Sequence, residues 1–504
     1  MPVIGVTDHR KSRDASIHAV AMSVLPLATI LIILCFFAVT SADADLWGHL
    51  LFGRDIVSSG SVHQRDLYSF TSDLPWVNHE WLAEVIMWVT YAVGGNAGLV
   101  ALKLVVICIS GALLLESWRP RCMNPMRRDG LLLVAALGSW PVLITIRPQI
   151  FSVLLFAVLL FAIVRVQAGR LQWLILIPMS FAVWVNVHGG WLAGAATLVV
   201  FLATFAIEKR FDRRHLVIIV ATLAATVMAT LCNPYGRQML SFLWETVGPS
   251  RSDIMEWQPV TRLPAIAFAL WLLPTSVAVV ALWQRGRSIP LSFLSVIALL
   301  GAGSFLVIRL VAFYSLASAF LLSPFLGGQA VRPHQDQVKR SNRWISSCVA
   351  MSMIAVAVMG FGRHITMGAE YLPEPEASAY VLQHRLTGKM FTWFDYGEYA
   401  IWHFWPAIHV SMDGRRETVY SQRIRDVHFE IYRNAPGAID ALRGLQADYA
   451  WLPVNAPVVP TLEANGWRAG FKGPRSVILC RNSVPPVQAV VDSPSREPRR
   501  FPGP

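Results

Sequence analysis

Charge is scarce in this chain. Only 15% of its 504 residues are Asp, Glu, Lys or Arg, against 55% that are hydrophobic. A soluble protein of this size carries roughly a quarter charged residues, so an ordinary soluble fold is excluded. Cysteine is scarce too. Cys35, Cys108, Cys122, Cys232, Cys348 and Cys480 form no CxxC pair, and most sit in apolar segments. A disulfide framework and a cysteine-based zinc site are therefore not expected. The thiols read as small buried hydrophobes. Internal repeats are absent, and so are the short alternating segments of a membrane β-barrel.

Long apolar runs are what the chain has in quantity. Eleven spans are expected near 19–40, 96–116, 131–146, 151–167, 173–187, 192–207, 216–232, 265–284, 290–308, 310–328 and 344–361. The first run is too long for a typical signal-peptide core and reads as a retained anchor. The net charge of +12 (43 Lys and Arg, 31 Asp and Glu) lies largely in short loops. There it sets topology and implies no nucleic acid. Arg10, Lys11 and Arg13 keep the N-terminus inside, and the basic loops around Arg119–Arg128, Lys209–Arg214, Arg285/Arg287 and Lys339–Arg343 fall on the same side. Residues 41–95 then form a long outer loop, with the piece Glu80–Trp88 lying in the membrane interface.

The division that follows is a cytoplasmic N-terminus (1–16), a transmembrane domain (17–361), an outer α/β domain (362–484) and a disordered tail (485–504). In the α/β domain, strand-like pieces at 390–393, 407–410, 449–452 and 476–479 alternate with helical stretches at 421–433 and 436–446. Pro485, Pro486, Pro494, Pro498, Pro502 and Pro504, with Arg496, Arg499 and Arg500, mark the tail.

The outer ends of the spans collect polar groups that the inner ends lack. Asp43 and Asp45 follow the first span, with His49 and Glu80 further along the loop. Arg147, Asn186 and His188 end later spans, Glu256 lies in a later outer loop, and Arg309 interrupts an apolar stretch. Charges at a membrane boundary are costly unless used or paired. Two carboxylates can hold a divalent metal or take a proton. Arginine suits a phosphate. Together they suggest a lipid-linked phosphate substrate whose tail reaches the site through the membrane.

This set of features resembles the GT-C superfamily of integral-membrane glycosyltransferases, in which Asp43-Ala44-Asp45-Leu46 is similar to the acidic motif of the first outer loop. The resemblance implies a polytopic α-helical GT-C-like fold of about eleven transmembrane helices with a C-terminal periplasmic α/β domain. It implies transfer of a sugar from a polyprenyl-phosphate-linked donor, with inversion, to a glycan, lipid or protein acceptor at the periplasmic face of a bacterial inner membrane. By the same resemblance Asp45 and then Asp43 are the catalytic candidates. Arg309, Arg147, His188, His49, Asn186 and Glu80 would bind substrate and phosphate. A divalent cation, magnesium or manganese, would sit on Asp45 and Glu256. Trp393-Phe394-Asp395-Tyr396-Gly397 resembles the acceptor-binding signature of oligosaccharyltransferase catalytic subunits, which makes Trp393, Asp395 and Tyr396 acceptor candidates. The second acidic motif of oligosaccharyltransferases is missing, with Arg147-Pro148-Gln149 in its place. Asp45 as base and Asp45 as metal ligand both stay open. A flippase or transporter for a lipid-linked glycan, or a non-catalytic part of an envelope polysaccharide assembly, is the competing reading.

Overall fold

The computed structural model describes residues 27–118, 125–209, 212–247, 254–326, 343–368, 372–481, 488–489 and 499–503. The expected cytoplasmic N-terminus, the start of the first span and most of the expected tail lie outside these residues. Among the described residues five helices are long and apolar enough to cross a membrane: Trp81–Trp118, Gln149–Gln167, Trp191–Lys209, Ala265–Ser288 and Ile308–Phe325. Four shorter apolar helices, Leu27–Ala38, Leu171–Trp184, Leu291–Leu306 and Val349–Phe361, fall within further expected spans.

The elements follow in chain order: α1 (Leu27–Ala38), β1 (Ser41–Ala42), α2 (Leu46–Ser59), α3 (Trp81–Trp118), α4 (Pro125–Gly138), α5 (Trp140–Leu143), α6 (Gln149–Gln167), α7 (Leu176–Trp184), α8 (Trp191–Lys209), α9 (Arg213–Ala229), α10 (Gln238–Val247), α11 (Ala265–Arg285), α12 (Leu291–Leu306), α13 (Val311–Leu322) and α14 (Arg343–Phe361). Helix α6 lies at the centre of the bundle, packed on α3, α7, α8 and α13. Lipid is as apolar as leucine, so such helices associate through close packing at small residues. Gly138 of α4 does this, because a Cβ there would strike Ser315 of α13.

The outer loop departs from expectation. Its main helix is α2, and Glu80–Trp88 supplies the first turns of α3. At 1.5 Å per residue, 38 residues extend about 57 Å, nearly twice a bilayer core. The break comes at Gly95, whose φ of 55° only glycine adopts readily. Residues before it lie against α2, and residues after it form the span. Gly53 lets the two helices touch: a Cβ there would lie 2.2 Å from the Glu84 carbonyl oxygen.

Two short strands tie the end of α1 to the chain that follows α14. Ser41 and Ala42 pair in parallel with Thr366 and Met367 of β2 (Thr366–Met367). The chain then continues as α15 (Pro375–Gln383), β3 (Gly388–Thr392), α16 (Gly397–Phe404), β4 (Ile408–Val410), α17 (Gln422–Tyr432), α18 (Ala438–Leu445), β5 (Tyr449–Pro453), α19 (Val459–Ala464), β6 (Arg468–Lys472), β7 (Ser476–Cys480) and β8 (Gln488–Ala489). The sheet order is β4-β3-β5-β7-β6-β8, parallel at β4-β3-β5 and antiparallel at β5-β7-β6. The four expected strands and two expected helices are all present. Strand β6 escapes a pattern reading because Arg468, Gly470 and Lys472 dilute it and a bulge shifts its register between Ala469 and Phe471.

The tail expectation needs correcting at its far end. Residues 499–503 are docked, not loose. Phe501 is buried against Trp47 at a ring distance of 4.8 Å, Asn96 Nδ2 donates to the Phe501 carbonyl (2.7 Å), and Trp47 Nε1 donates to the Pro502 carbonyl (2.8 Å). A single buried aromatic outweighs the disorder that Pro and Arg around it suggest.

Candidate functional site

The site begins where α1 ends and α2 starts. Asp43 Oδ1 accepts the Asp45 backbone N–H (3.0 Å), a local turn that stops the chain from continuing as one helix. Asp45 is the N-cap of α2, so both carboxylates sit at the positive end of that helix. Arg147, between α5 and α6, faces them. Its Nη2 lies 2.5 Å from Asp43 Oδ1 and 2.8 Å from Asp45 Oδ2, and its Nη1 donates to Glu256 Oε1 (3.1 Å). Glu256 continues to Arg309, whose Nε lies 3.7 Å from Glu256 Oε2. Arg309 Nη2 then reaches Gln149 Oε1 (3.1 Å) and His188 Nε2 (3.0 Å). A single polar chain thus links residues from five separate stretches of sequence.

The chain ends in enclosed groups. His188 Nδ1 lies 2.7 Å from Ser152 Oγ, which also accepts the indole N–H of Trp184 (2.7 Å). Nδ1 also accepts the Gly190 backbone N–H (3.0 Å), so both ring nitrogens are enclosed by partners. Burial and the charge of Arg309 push the His188 pKa down to about 3. Glu80 Oε1 lies 3.8 Å from His188 Nε2 and 3.7 Å from His79 Nε2. Burial opposes ionisation of Glu80, yet His79, His188, His49 and Arg309 together hold its carboxyl below the usual range. His49, one turn along α2 from Asp45, pairs with the buried Glu84 (3.2 Å). Asn186 holds the scaffold instead of facing the site: its Oδ1 accepts from Trp81 Nε1 and its Nδ2 donates to the carbonyls of Ala182 and Cys232.

Exposure grades along this chain. His188 and Glu80 are largely enclosed, whereas the side chains of Asp45, Arg309 and Glu256 are 28%, 29% and 36% exposed. The open part is where a substrate can enter. Burial pushes the Asp45 carboxyl up to about 7, against the pull of Arg147 and with the push of Asp43.

The C-terminal domain closes over the same point. Asp395 lies close enough to Asp43 that, after burial itself, its charge contributes to raising the Asp395 carboxyl. Trp393 is half-buried on Tyr432 (4.6 Å), and Tyr396 is buried on Trp451 (5.6 Å). Of the three acceptor candidates, Tyr396 is therefore core, and Asp395 is the one beside the acidic pair. The loop Met412-Asp413-Gly414-Arg415 brings Gly414 against Asp45: a Cβ there would lie 2.3 Å from Asp45 Oδ1.

Several residues lay outside the sequence expectation. Arg415 binds Asp413 through Nε (2.8 Å) and Nη2 (2.6 Å) and Asp66 through Nη1 (2.6 Å). Its guanidinium lies over Phe52, Tyr68 and Trp76 at 4.9, 5.2 and 4.8 Å. Glu84, paired with His49, and Glu398, near Asp45, are buried acids. Glu84 stands one helical turn after Glu80 on α3, a spacing that could have flagged it. Glu398 directly follows the motif that ends at Gly397.

A guanidinium stands at the place expected for the cation. Asp43, Asp45 and Glu256 all point at one centre, but the Arg147 guanidinium holds that centre. A cation placed there would have to displace Arg147, so these residues do not fit a metal as they stand. Among the described residues no group of three or more His, Cys, Asp or Glu side chains is arranged to hold one.

No family model and no curated protein sequence matches the chain. Solved structures do. ArnT from Cupriavidus metallidurans bound to undecaprenyl phosphate superposes with a TM-score of 0.56 at 13% identity, over 93% of this chain and 99% of the other. Its apo state gives 0.53 at 13% identity, over 93% and 98%. The Archaeoglobus fulgidus oligosaccharyltransferase in its apo form gives 0.54 at 10% identity, over 91% of this chain and 74% of the other. At such identities the likeness is one of architecture alone: the chain shares the fold of ArnT and of the oligosaccharyltransferase.

Proposed function

We propose that this chain is an inverting glycosyltransferase that moves a sugar from a polyprenyl-phosphate-linked donor to an acceptor at the periplasmic face of a bacterial inner membrane. In this reading all eleven apolar segments cross the bilayer, and the sheet domain lies outside with the acidic loop. The observation that carries the reading is the polar chain from Asp45 through Arg147 and Glu256 to Arg309, partly open and bounded by apolar helices. A carboxylate poised near neutrality and a partly exposed arginine are the two groups that displacement at a sugar–phosphate bond requires.

Asp45 takes the proton of the acceptor hydroxyl as its oxygen attacks the anomeric carbon. The bond from that carbon to the phosphate oxygen breaks, and the polyprenyl phosphate leaves with the electron pair. Positioned base catalysis of this kind contributes about 10²- to 10⁴-fold. Arg309 stabilises the charge that grows on the phosphate. Arg147 is less suited to that task, because its Nη1 and Nη2 already bind carboxylates and its Nε is buried without a partner. It organises the acids instead. Asp395 and Trp393 help hold the acceptor. The metal reading gives way to the guanidinium, and no step needs a cation.

ArnT carries undecaprenyl phosphate in its solved complex, which supports a polyprenyl phosphate for this fold without identifying the sugar. The test is transfer from a lipid-linked sugar donor in membranes containing the wild type or the Asp43→Asn/Asp45→Asn double variant. Loss of transfer by about two to four orders of magnitude is expected. Undiminished transfer would overturn the assignment.

A further inference from the structure

Glu398, the second residue of α16, is a buried carboxyl wedged between two glycines. Its Oε2 accepts the backbone N–H of Gly48 (3.1 Å), and a Cβ on Gly48 would lie 2.2 Å from that oxygen. Its other oxygen, Oε1, faces Gly414 from the same side as Asp45 Oδ1: a Cβ on Gly414 would lie 2.8 Å from the first and 2.3 Å from the second. Two carboxyl groups from different domains therefore meet over one glycine. Neither nearby arginine pairs with Glu398. Arg147 holds Asp43, Asp45 and Glu256, and Arg415 directs Nε, Nη1 and Nη2 to Asp413 and Asp66. Adjacent carboxylates without a cation between them do not both ionise.

We infer that Glu398 is a positioning residue for Asp45: a carboxylic acid that keeps its proton and donates it from Oε1 in a hydrogen bond to Asp45 Oδ1. The pair fixes the Asp45 carboxylate between Glu398 on one side and Arg147 on the other, with its remaining lone pairs facing the open part of the site. The inference rests on the reading of Asp45 as the base. It also explains why the sheet domain is docked on α2 at this point: the domain delivers the donor. The groups that face Glu398 are Asp45 from α2, Glu84 from α3, and Asp413 and Arg415 from the loop after β4. Burial, Asp45 and Asp413 favour the neutral acid, in that order, and Arg415 opposes them.

Two variants of the full-length protein separate the outcomes. Glu398→Gln keeps a donor toward Asp45 and an acceptor for Gly48, whereas Glu398→Leu keeps neither. With the lipid-linked donor, Glu398→Gln is expected to hold kcat within about threefold and to leave the acid limb of the pH–rate profile in place. Glu398→Leu is expected to lower kcat about tenfold with KM unchanged, and to move that limb up by about one pH unit, as loss of a donor to the carboxylate requires. A limb that moves down in Glu398→Gln would mean an ionised Glu398 and would overturn the inference. So would equal damage in both variants.

Thermal melting tests the same point without any activity. A buried acid that keeps its proton above its ordinary range binds more protons folded than unfolded, so the stability it confers is lost as pH rises. The melting temperature of Glu398→Gln minus that of the wild type is expected to grow from pH 5 to pH 9. A constant difference would overturn the inference even if the wild type transferred no sugar at all. Absent transfer with a growing difference would count against the proposed function alone.

Discussion

The arginine–carboxylate clusters around Arg415 and Arg147 are built from the same chemistry, and they differ in exposure. Around Arg415 the guanidinium is 6% exposed, both partner carboxylates are fully buried, and three aromatic rings cover it. Around Arg147 the guanidinium is 21% exposed and its partners are 19–36% exposed. The first cluster joins Asp66 of the outer loop to Asp413 of the sheet domain and leaves no room for a visitor. The second has the same charges with one side open. Charge pairing alone does not mark a site. What sets the Arg147 cluster apart is charge pairing left partly accessible.

The sharpest way to break this contrast is to remove each arginine in turn. Arg415→Leu strands two buried carboxylates and is expected to cost about 3–5 kcal/mol of stability, read by denaturant unfolding in detergent. Arg147→Leu is expected to cost about 1 kcal/mol or less, since its partners can turn to water, while abolishing transfer. Equal losses of stability would show that the two clusters do the same job.

A smaller effect is expected from Arg309. Arg309→Lys keeps the charge but loses the planar fork that suits phosphate. The apparent KM for the lipid-linked donor is expected to rise about tenfold, with melting unchanged. An unchanged KM would remove the phosphate from this residue.

The clusters should also separate by pH. Asp45, pushed up to about 7, must be ionised to act as base, so transfer is expected to rise through about pH 7. For stability the sign is opposite: a carboxyl raised in the folded state gives stability that is full below its unfolded value and lost as pH rises through 7. Burial opposes ionisation of Asp66, yet Arg415 holds its carboxyl below the usual range. Its contribution is present above the ordinary aspartate value and lost only as pH falls through the lower folded one. In the wild type the Asp45 contribution should thus fade from pH 5 to 9 while that of Asp66 stays constant; removing Arg415 takes away the main counterweight to burial at Asp66 and should make melting fall as pH rises over the same range.

The smallest expected effect is none. EDTA is expected to leave transfer unaltered, because Arg147 holds the place between the acids. Loss of transfer on chelation, restored by magnesium or manganese, would reinstate the metal reading.

Much of this was legible in the sequence for a physical reason. Asp43, Asp45, Arg147, His188 and Arg309 stand out because polar groups amid apolar runs are costly, and the structure brings all five into one connected network. The helical membrane class and the α/β character of the sheet domain followed from apolar length and period. What stayed hidden was pairing at a distance. Nothing local says that Arg147 meets Glu256, 109 residues away, or that Arg415 reaches Asp66 across 349. Helix α2 was missed because its apolar residues surround it on several sides, without the single stripe that marks an interfacial helix. Arg415 stands out in sequence only as part of the run Met412-Asp413-Gly414-Arg415, and only the fold reveals the rings over it.

The docked segment 499–503 bears on the order in which the molecule is made. Helix α2, with Asp45 at its start, is synthesised among the first outer residues, but the ring of Trp47 is covered only when Phe501 arrives. Some 450 residues of translation separate the two. Until then one flank of the acidic loop stays uncovered. Without residues 499–503 the Trp47 ring would lie bare, so this segment seals the helix that begins at Asp45.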